Sequence, residues 1–386
     1  MNVPKLRFKE FNDGWQKKEL REISQIYDGT HQTPNYIQNG VPFVSVEDIS
    51  DIEKTNKFIS KNAFEKEFKI KPQVNDILMT RITAGIIGAT AIVKNNNPLG
   101  YYVSLALIRK NKIIDVNYLN QYINCFKFKK ELNKRIIHVA FPKKINLGDI
   151  GKCKISITSI NEQQKIGKML NILDRKIELQ TKKIEDLKLF KKGLIEFEFS
   201  NSNYNEINLK KILKERKTYS EKGLEFPHVT LSKDGIYDKT DRYNRDFLVK
   251  SDDKKYKITY LNDLCYNPAN LKFGVICLNE YGSAIFSPIY VTFVIKNIAN
   301  PKYIKYYVTR NNFINAIRKY EQGTVYERMA VAPEDFLKFS IKLPNIEIQN
   351  KFVAKLLKLD KKIELENLKL SKYIKFKKGL MQNMFV

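Results

Sequence analysis

Carboxylates with neighbouring lysines are the first groups in this sequence that could catalyse a reaction. Asp234, Asp238 and Asp241 lie in one turn-rich stretch that also holds Lys233 and Lys239. Clustered carboxylates can hold a divalent metal ion, and a lysine beside them would suit a nuclease. In a chain that is 29% charged, however, such clusters also arise by chance. We therefore expect ordinary turn residues here and no catalysis by this chain.

Other catalytic patterns are incomplete. Asn267-Pro268-Ala269-Asn270 half-resembles the Asn-Pro-Pro-aromatic motif of amino-methyltransferases, but it lacks the second proline and the aromatic residue, so a turn is expected. No glycine-rich loop with Lys-Ser/Thr occurs, which argues against ATP hydrolysis. The cysteines have no CxxC spacing and are predicted to be reduced thiols in the core; they are Cys125, Cys153, Cys265 and Cys277.

The charge balance favours an acidic partner. The chain carries 69 Lys and Arg against 42 Asp and Glu, a formal net charge of +27, and nucleic acid is the leading candidate partner. Part of the excess can be compositional, because an AT-rich genome also enriches Lys, Asn and Ile. The longest apolar run, residues 84–93, holds two glycines and is far too short to span a membrane. The first residues lack the apolar core of a signal peptide, so a cytoplasmic protein without membrane contact is predicted.

Residues that could read DNA lie in loops of both halves of the chain. Base readout needs hydrogen-bond donors and acceptors, whereas phosphate binding needs Lys, Arg and main-chain N–H groups. The candidates in the first half are Thr30, His31, Gln32, Arg81, Thr83, Lys143 and Lys144. Those in the second half are Arg242, Tyr243, Arg245, Lys272, Thr324, Tyr326 and Arg328. For each one a solvated surface residue is the alternative, and His31 could equally be a core histidine bonded within its turn.

These loops need a scaffold, and its clearest sign is a repeat. Residues 160–195 align without a gap on residues 346–381 after a shift of 186 positions. Sixteen of the 36 aligned pairs are identical, including Phe190-Lys191-Lys192-Gly193-Leu194 with Phe376-Lys377-Lys378-Gly379-Leu380. A repeat of this length indicates an internal duplication.

Both copies carry a heptad pattern, with alternating spacings of three and four residues. Its apolar positions are Leu170, Leu173, Ile177, Ile184, Leu187 and Leu194, and Leu356, Leu359, Ile363, Leu370, Tyr373 and Leu380. This spacing is typical of a coiled coil, and each helix is the nearest partner for its own duplicate. Two amphipathic helices, each packed on its own domain, are the alternative. Each helix is predicted to end near its Lys-Lys-Gly sequence.

The segments before the helices repeat more weakly, at offsets between 185 and 189. Val74-Asn75-Asp76-Ile77-Leu78, for example, corresponds to Leu261-Asn262-Asp263-Leu264-Cys265. Each segment reads as short strands with turns plus one helix, from Asn117 to about Ile136 and from Pro301 to about Tyr320. The sequence thus predicts an α+β fold. In it, two globular domains alternate with two long helices that pair as an antiparallel coiled coil, with internal pseudo-twofold duplication.

This arrangement resembles the specificity (S) subunit of type I restriction-modification systems over nearly the whole chain. The local motifs that carry the resemblance are Tyr27-Asp28-Gly29-Thr30-His31-Gln32-Thr33-Pro34, Gly40-Val41-Pro42-Phe43-Val44, Phe286-Ser287-Pro288-Ile289-Tyr290 and the two helix openings from Ile160 and Ile346. The second opening is less typical, because Ile348 stands where the first copy has Glu162.

The resemblance implies a division of the chain and a set of partners. Residues 1–157 would form target recognition domain 1, 158–200 the first conserved helix, 201–343 target recognition domain 2 and 344–386 the second conserved helix. Each domain would read one half of a bipartite site in double-stranded DNA. The helices would set the gap and dock two methyltransferase (M) subunits, which use S-adenosylmethionine. Restriction (R) subunits, with ATP and Mg, would join them, and this chain would bind no cofactor or metal and do no chemistry.

The residues alone agree with this interpretation. A helix of 35 residues is roughly 52 Å long, or about 15 base pairs, which suits a spacer between two readers. Because the two domains differ, an asymmetric interrupted site is predicted. A stand-alone DNA-binding nuclease or nickase with duplicated domains is the rival from another class. A pure coiled-coil scaffold is disfavoured, since about three-quarters of the chain is globular.

Overall fold

The computed structural model describes residues 3–200, 203–221, 225–239, 255–322 and 329–386. Six predicted DNA-binding residues lie outside these ranges, namely Arg242, Tyr243, Arg245, Thr324, Tyr326 and Arg328, as does Asp241. The chain divides into two compact units. The first comprises Met1–Lys182 and Asn367–Val386, and the second comprises Lys183–Glu366.

The first unit combines short strands with short helices and parts of both long ones. Its strands are β1 (Gln16–Glu19), β2 (Ser24–Asp28), β3 (Tyr36–Ile37), β4 (Val41–Val44), β5 (Phe58–Ile59), β6 (Ile77–Thr80), β7 (Ile82–Thr83), β8 (Thr90–Ile92), β9 (Gly100–Tyr101), β10 (Leu105–Lys110), β11 (Lys143–Lys144) and β12 (Lys154–Ile157). Its short helices are α1 (Leu20–Ile23), α2 (Lys61–Glu67), α3 (Val116–Ile123), α4 (Phe126–Asn133) and α5 (Leu147–Gly151), and a 3-10 turn spans Val46–Asp48. The long helix α6 (Ile160–Ser200) begins in this unit.

The second unit is built from the same kinds of secondary-structure element. Its strands are β13 (Glu206–Asn208), β14 (Leu213–Glu215), β15 (Tyr219–Ser220), β16 (Val229–Ser232), β17 (Gly235–Asp238), β18 (Tyr256–Thr259), β19 (Leu264–Tyr266), β20 (Ile276–Leu278), β21 (Ala284–Phe286), β22 (Val291–Ile295) and β23 (Ser340–Lys342). Its helices are α7 (Leu209–Ile212), α8 (Pro301–Val308), α9 (Asn311–Ile317), α10 (Pro333–Lys338) and the start of α11 (Ile346–Met384), with 3-10 turns at Pro268–Phe273 and Arg318–Tyr320.

The sheets confirm the duplication. The main antiparallel sheet has the order β2-β10-β6-β8 in the first unit and β14-β22-β19-β20 in the second, at corresponding places in the chain. A two-stranded pair precedes each long helix, β1 with β12 and β13 with β23. The first unit adds the sheet β3-β5-β4-β9, and the second adds β15-β18-β21 and β16-β17. The predicted α+β fold is therefore confirmed, with a shared framework and unlike additions.

One turn shows how closely the two copies agree. Asn75 and Asn262 precede β6 and β19, and both have positive φ values, 71° and 69°. The next residue in each copy, Asp76 or Asp263, is buried and accepts a hydrogen bond from the main-chain N–H three residues earlier. Asparagine tolerates the left-handed conformation, and aspartate closes such turns through its carboxylate. The repeat that the sequence shows at these positions is thus a repeated turn.

The prediction of a single helix in each globular segment is wrong, because two short helices occupy that place in each unit. In the first unit α3 ends at Ile123 and α4 restarts at Phe126, after Cys125, whose Sγ accepts from the N–H of Phe128. Helix α3 begins at Val116, one residue before the predicted Asn117, and its N-cap is Asp115, whose carboxylate accepts from the N–H of Tyr118. In the second unit α8 ends at Val308 and α9 begins at Asn311. Pro301 does occupy the first turn of α8, as predicted.

The prediction that each long helix ends near its Lys-Lys-Gly sequence is also wrong. Helix α6 continues through Gly193 to Ser200, and α11 continues through Gly379 to Met384. The extra turns of α6 carry Ile195 and Phe199, which pack on the second unit's core. A glycine inside a helix costs about 1 kcal/mol, and burying one large apolar side chain contributes about 1.5–3 kcal/mol. Tertiary packing therefore outweighs the local stop signal.

The two long helices run antiparallel beside one another within each unit. In the second unit Lys183 Nζ lies 2.8 Å from a carboxylate oxygen of Glu366, and Lys191 Nζ lies 2.6 Å from one of Asp360. The contacting residue numbers therefore fall along α11 as they rise along α6, which is the pattern of antiparallel helices. In the first unit Lys377 Nζ donates to the Asp174 carboxylate. Lys377 is the duplicate of Lys191, and Asp174 is the duplicate of Asp360. The lysine is thus on α6 in one pair and on α11 in the other, as the symmetry of two like antiparallel helices requires.

The heptad positions face inward. The four most buried apolar ones are Leu170, Leu173, Ile184 and Leu356, with exposed fractions of 0%, 8%, 4% and 0%. The remaining eight are half-buried, namely Ile177, Leu187, Leu194, Leu359, Ile363, Leu370, Tyr373 and Leu380. Residues between them, such as Leu179 and Leu365, are about half exposed, at 50% and 48%. Burial along both helices follows the predicted period.

The end of each long helix completes a core built on tyrosines. Phe385 follows α11 and lies 5.4 Å from Tyr118 and 5.0 Å from Tyr122, between ring centroids, in the first unit. Its duplicate, Phe199 on α6, lies 5.0 Å from both Tyr303 and Tyr307 in the second unit.

All four predicted core cysteines are buried. Among the described residues, no helix has the length and apolar character needed to cross a bilayer.

Candidate nucleic-acid interface

The three candidate stretches of the first unit meet at the side chain of Arg81. Its Nη1 donates to the Asp28 carboxylate at 2.7 Å and to the main-chain oxygen of Val103 at 2.9 Å. Its Nε donates to the main-chain oxygen of Ile145 at 3.3 Å. Only 10% of the Arg81 side chain is exposed. The guanidinium therefore links three loops from a largely buried position. The sequence predicts Arg81 as a surface contact, whereas its burial favours a role in positioning these loops.

His31 is the exposed member of this group. Its Nε2 lies 2.7 Å from Oδ2 of Asp28, the carboxylate that Arg81 also engages through Oδ1, and 71% of the side chain is exposed. A core position for His31 is therefore wrong. Asp28, itself held by Arg81, thus gives the exposed imidazole a hydrogen-bonding partner at the surface.

Neighbouring residues of the same loop divide between surface and interior. Thr30 is 8% exposed, and its hydroxyl donates to the Glu67 carboxylate at 3.2 Å. Gln32 is exposed, and its N–H donates to Oγ1 of Thr30 at 3.3 Å. The Tyr101 hydroxyl donates to the main-chain oxygen of Asp28 at 2.9 Å, and burial raises the pKa of Tyr101, so the donor stays protonated. Gln32 and His31 thus face solvent on a loop held by buried hydrogen bonds.

A short two-stranded ribbon carries the remaining candidates. In it, Lys143 pairs with Thr83 and Lys144 pairs with Ile82. Both lysines are exposed, whereas Thr83 is half-buried and its hydroxyl accepts from the N–H of Gly85 at 3.0 Å. Lysines on such a surface suit phosphate oxygens, which are compact charged acceptors.

The loop after this ribbon strand is fixed on helix α4. Gly88 has a φ of +86°, and an added Cβ would lie 2.6 Å from a methyl group of Leu132, so a side chain would clash there. Lys129 of α4 donates from Nζ to the main-chain oxygen of Gly88. Burial lowers the pKa of Lys129 to about 8. The loop thus has a defined position relative to α4.

In the second unit, Lys272 is the candidate that the structure describes. It lies in the last turn of the 3-10 segment Pro268–Phe273, which ends at Gly274 with a φ of +79°. Lys272 is half-buried, and its Nζ lies 5.3 Å from the ring centroid of Phe273, which is 65% exposed. Asn267 caps the segment by accepting from two main-chain N–H groups, so the half-motif noted in the sequence forms a capped 3-10 turn.

Sequence reasoning missed the residue that ties the first long helix to its domain. Gln163 is fully buried, and its side-chain nitrogen donates to the main-chain oxygens of Thr158 at 2.7 Å and Ile113 at 3.1 Å. Its side-chain oxygen accepts from the N–H of Asp115 at 3.0 Å, just before α3. This one side chain therefore links the starts of α3 and α6.

Gln349, the duplicate, makes the same three contacts in the second unit. Its side-chain nitrogen donates to the main-chain oxygens of Pro344 at 2.8 Å and Ile298 at 3.3 Å. Its side-chain oxygen accepts from the N–H of Asn300 at 2.8 Å. The signal was present in the sequence, because both helix openings hold an identical glutamine at this position. An uncharged residue retained beside an apolar pattern in both copies indicates a buried hydrogen-bonding role.

The unlike residues of the helix openings also have a structural reason. Glu162 is fully buried and pairs with Arg7 through two hydrogen bonds of 2.8 Å, and it accepts from the Thr158 hydroxyl. Ile348, at the same place in the second copy, is 39% exposed. Arg7 lies in the segment before β1, where it contacts the start of α6 and supplies the charge that Glu162 needs.

Two of the three aspartates considered for catalysis, Asp234 and Asp238, belong to the β16–β17 hairpin. Asp234 lies in its turn and Asp238 at the end of β17, opposite Val229 of β16. Throughout the ranges that the structure covers, no three His, Cys, Asp or Glu side chains gather as a metal site would require. The exposed His31, Gln32, Lys143 and Lys144 around Arg81 are therefore the best-defined candidate site.

Comparisons with known proteins match this architecture. Residues 12–189 match the family model of the type I restriction modification DNA specificity domain. The S subunit of the type I restriction-modification system of M. genitalium shares the fold, with a TM-score of 0.58 and 13% identity over 100% of this chain and 99% of that one. A chain from a structure on complex assembly and conformational transition of the type I R-M system matches with a TM-score of 0.57. Its sequence identity is 12%, and the match covers 95% of this chain and 96% of that one. Residues 12–189 are thus similar to the type I restriction modification DNA specificity domain, and the chain shares the fold of these S subunits along its length.

Proposed function

We propose that this chain is the sequence-specific DNA-binding subunit of a type I restriction-modification complex. The observation that carries the proposal is the duplicated framework with unlike loops. The same sheet order, tight turn and buried glutamine occur twice, whereas the groups around Arg81 and around Lys272 differ. A repeated scaffold with different surface loops suits two readers of different DNA sequences.

The proposed target is therefore a bipartite asymmetric site, with one half read by each globular domain. In the first domain His31 and Gln32 would contact base edges, with Lys143 and Lys144 on phosphates. In the second, Lys272 would act together with the predicted Arg242, Tyr243, Arg245, Thr324, Tyr326 and Arg328. The net charge of +27 supports binding to the DNA backbone and predicts a strong salt dependence.

The long helices would set the gap between half-sites and dock two M subunits, with R subunits joining the complex. In this proposal S-adenosylmethionine is bound by the M subunits, ATP and Mg by the R subunits, and this chain supplies specificity without catalysis. Exposed apolar residues on the helices, including Leu189 at 69% and Leu368 at 53%, support a protein-docking role. Because its proposed target is DNA, we also propose a cytoplasmic location for the complex.

Mapping of modified adenines in the host genome, with and without this gene, tests the function. The expected result is an interrupted, asymmetric methylated motif that disappears when the gene is deleted. A motif that persists after deletion, or one that is continuous or palindromic, would contradict the proposal.

The rival, a nuclease or nickase, is tested separately. The purified chain is incubated with plasmid carrying the mapped motif and with Mg²⁺ or Mn²⁺. No nicking or cleavage is expected from the chain alone, because we assign it no catalytic group. Cleavage that copurifies with the chain and requires its Asp234 and Asp238 would favour the rival.

A further inference from the structure

Two apolar side chains stand almost fully in solvent at the tip of one loop in the first unit. In the loop 138–143, Val139 is 96% exposed and Phe141 is 92% exposed. Single exposed aliphatic residues are common, but a phenylalanine ring left in water forgoes about 1.5–3 kcal/mol of burial. Phe141 is also adjacent to Lys143 and Lys144 of the candidate interface.

The base of this loop is held firmly. The N–H of Ile137 donates to Lys144 at 2.8 Å and closes the loop. The N–H of Ile145 donates to the main-chain oxygen of Arg81 at 3.0 Å, and Arg81 Nε donates back to Ile145. The tip is thus presented on a fixed base, which reduces the entropy lost when it binds.

The charge around the tip identifies the kind of partner. Lys143 and Lys144 beside the tip are exposed, whereas Lys134 and Arg135 before the loop pair with Glu131. A partner must therefore offer negative charge beside an apolar surface that can accept a ring. Duplex DNA does so, with phosphates outside and stacked bases inside, and minor-groove proteins use Phe in this way.

The second unit also presents an exposed phenylalanine beside a lysine, on a different loop from that of Phe141. The loop between β19 and β20 presents Phe273, 65% exposed, just before the left-handed Gly274. The equivalent loop of the first unit, between β6 and β8, presents Ile86, 74% exposed, two residues before the left-handed Gly88. Each unit therefore carries an exposed phenylalanine near a lysine of the candidate interface, Phe141 in the first and Phe273 in the second, on loops that are not equivalent.

We infer that Phe141 inserts its ring into the base stack of the half-site read by the first unit, and that Phe273 does the same in the other half-site. This inference rests on the proposed function and adds to it the class of contact, namely unstacking of a base step. Unstacking is easiest at flexible pyrimidine–purine steps, so the rings would favour such steps without any hydrogen bond to a base.

The test uses the full-length chain without M subunits, so that no methyltransferase can extrude a base. Duplexes of the mapped motif carry 2-aminopurine at successive positions, and fluorescence and affinity are measured together. The wild-type chain should raise the fluorescence at one step in each half-site. Phe141→Ala should abolish the signal in one half only, Phe273→Ala in the other only, each with an affinity loss of about 10- to 100-fold.

Phe126→Ala is the matched control, because Phe126 is a 71% exposed phenylalanine of the first unit, at the start of α4. It should leave both signals and the affinity unchanged, while Phe141→Trp should keep the first signal. If the wild-type chain binds the motif but Phe141→Ala binds equally well with equal fluorescence, the inference is overturned while the proposed function stands. If the wild-type chain shows no preference for the motif, the proposed function fails first.

Discussion

Single side chains in this protein have roles that depend on partners far away in the sequence. Arg81 is a cation close to Gly85 in the sequence, a pattern that predicts a DNA contact. Its partner Asp28 is 53 residues away, and the main-chain oxygens that it binds belong to two further segments. The structure places the loops that hold Arg81, His31 and Lys143 next to one another, and their contact with DNA stays a prediction. Which of them faces outward depends on contacts that no local pattern encodes.

Lys129 provides a pH-dependent test at the same scale. Its pKa is lowered from 10.5 to about 8 by burial, so between these values the unfolded chain binds more protons than the folded one. Folding stability contributed by this group should therefore rise as pH increases from about 8 to about 10.5. We expect the stability of the wild type, relative to Lys129→Met, to rise by about 1–3 kcal/mol over this interval. Urea unfolding of both proteins at pH 7.5, 9 and 10.5 measures it.

The comparison between two proteins removes the titration of tyrosines and cysteines, whose raised pKa values act in the opposite direction. Lys130→Met, at an exposed position of the same helix, is the control and should follow the wild type. A wild-type profile parallel to that of Lys129→Met would show that the buried amine does not titrate in this range.

At the scale of elements, the sequence predicted the long helices and their duplication well but misplaced their ends. The heptad positions were recognisable because each helix buries a continuous stripe against a like partner. The Lys-Lys-Gly signal failed because Ile195 and Phe199 beyond it pack into a core that the helix sequence alone does not reveal. The break between α3 and α4 was missed for a related reason, since an apolar run of two short helices has the same period as one long helix.

The two core-completing phenylalanines allow a matched test of the helix ends. Phe385 is 1% exposed against Tyr118 and Tyr122, whereas Phe199 is half-buried. Phe385→Ala should lower the free energy of unfolding by about 3–5 kcal/mol, and Phe199→Ala by less. Phe197→Ala is the control, because Phe197 lies on the same helix and is 79% exposed. Denaturant unfolding measures all three, and equal losses for Phe197 and Phe199 would contradict the packing described.

At the scale of the whole molecule, the division of labour between the two domains is the main prediction. Residues 16–157 are exchanged for the corresponding segment of a family member with a different methylated motif. Because each domain is proposed to read its own half-site, only one half of the motif should change. Methylation mapping of cells carrying the hybrid measures this, and the reciprocal exchange of residues 206–342 is the control. A hybrid in which both halves change would contradict independent reading.

The first unit includes residues 367–386, and Phe385 lies in its core. During translation those residues leave the ribosome only after the entire second unit has been made. The domain that is synthesised first is therefore the last to finish folding, and until then Tyr118 and Tyr122 lack the ring that covers them. A nascent chain stalled before α11 would expose this apolar surface, so the order of synthesis makes the N-terminal domain the one most in need of a chaperone.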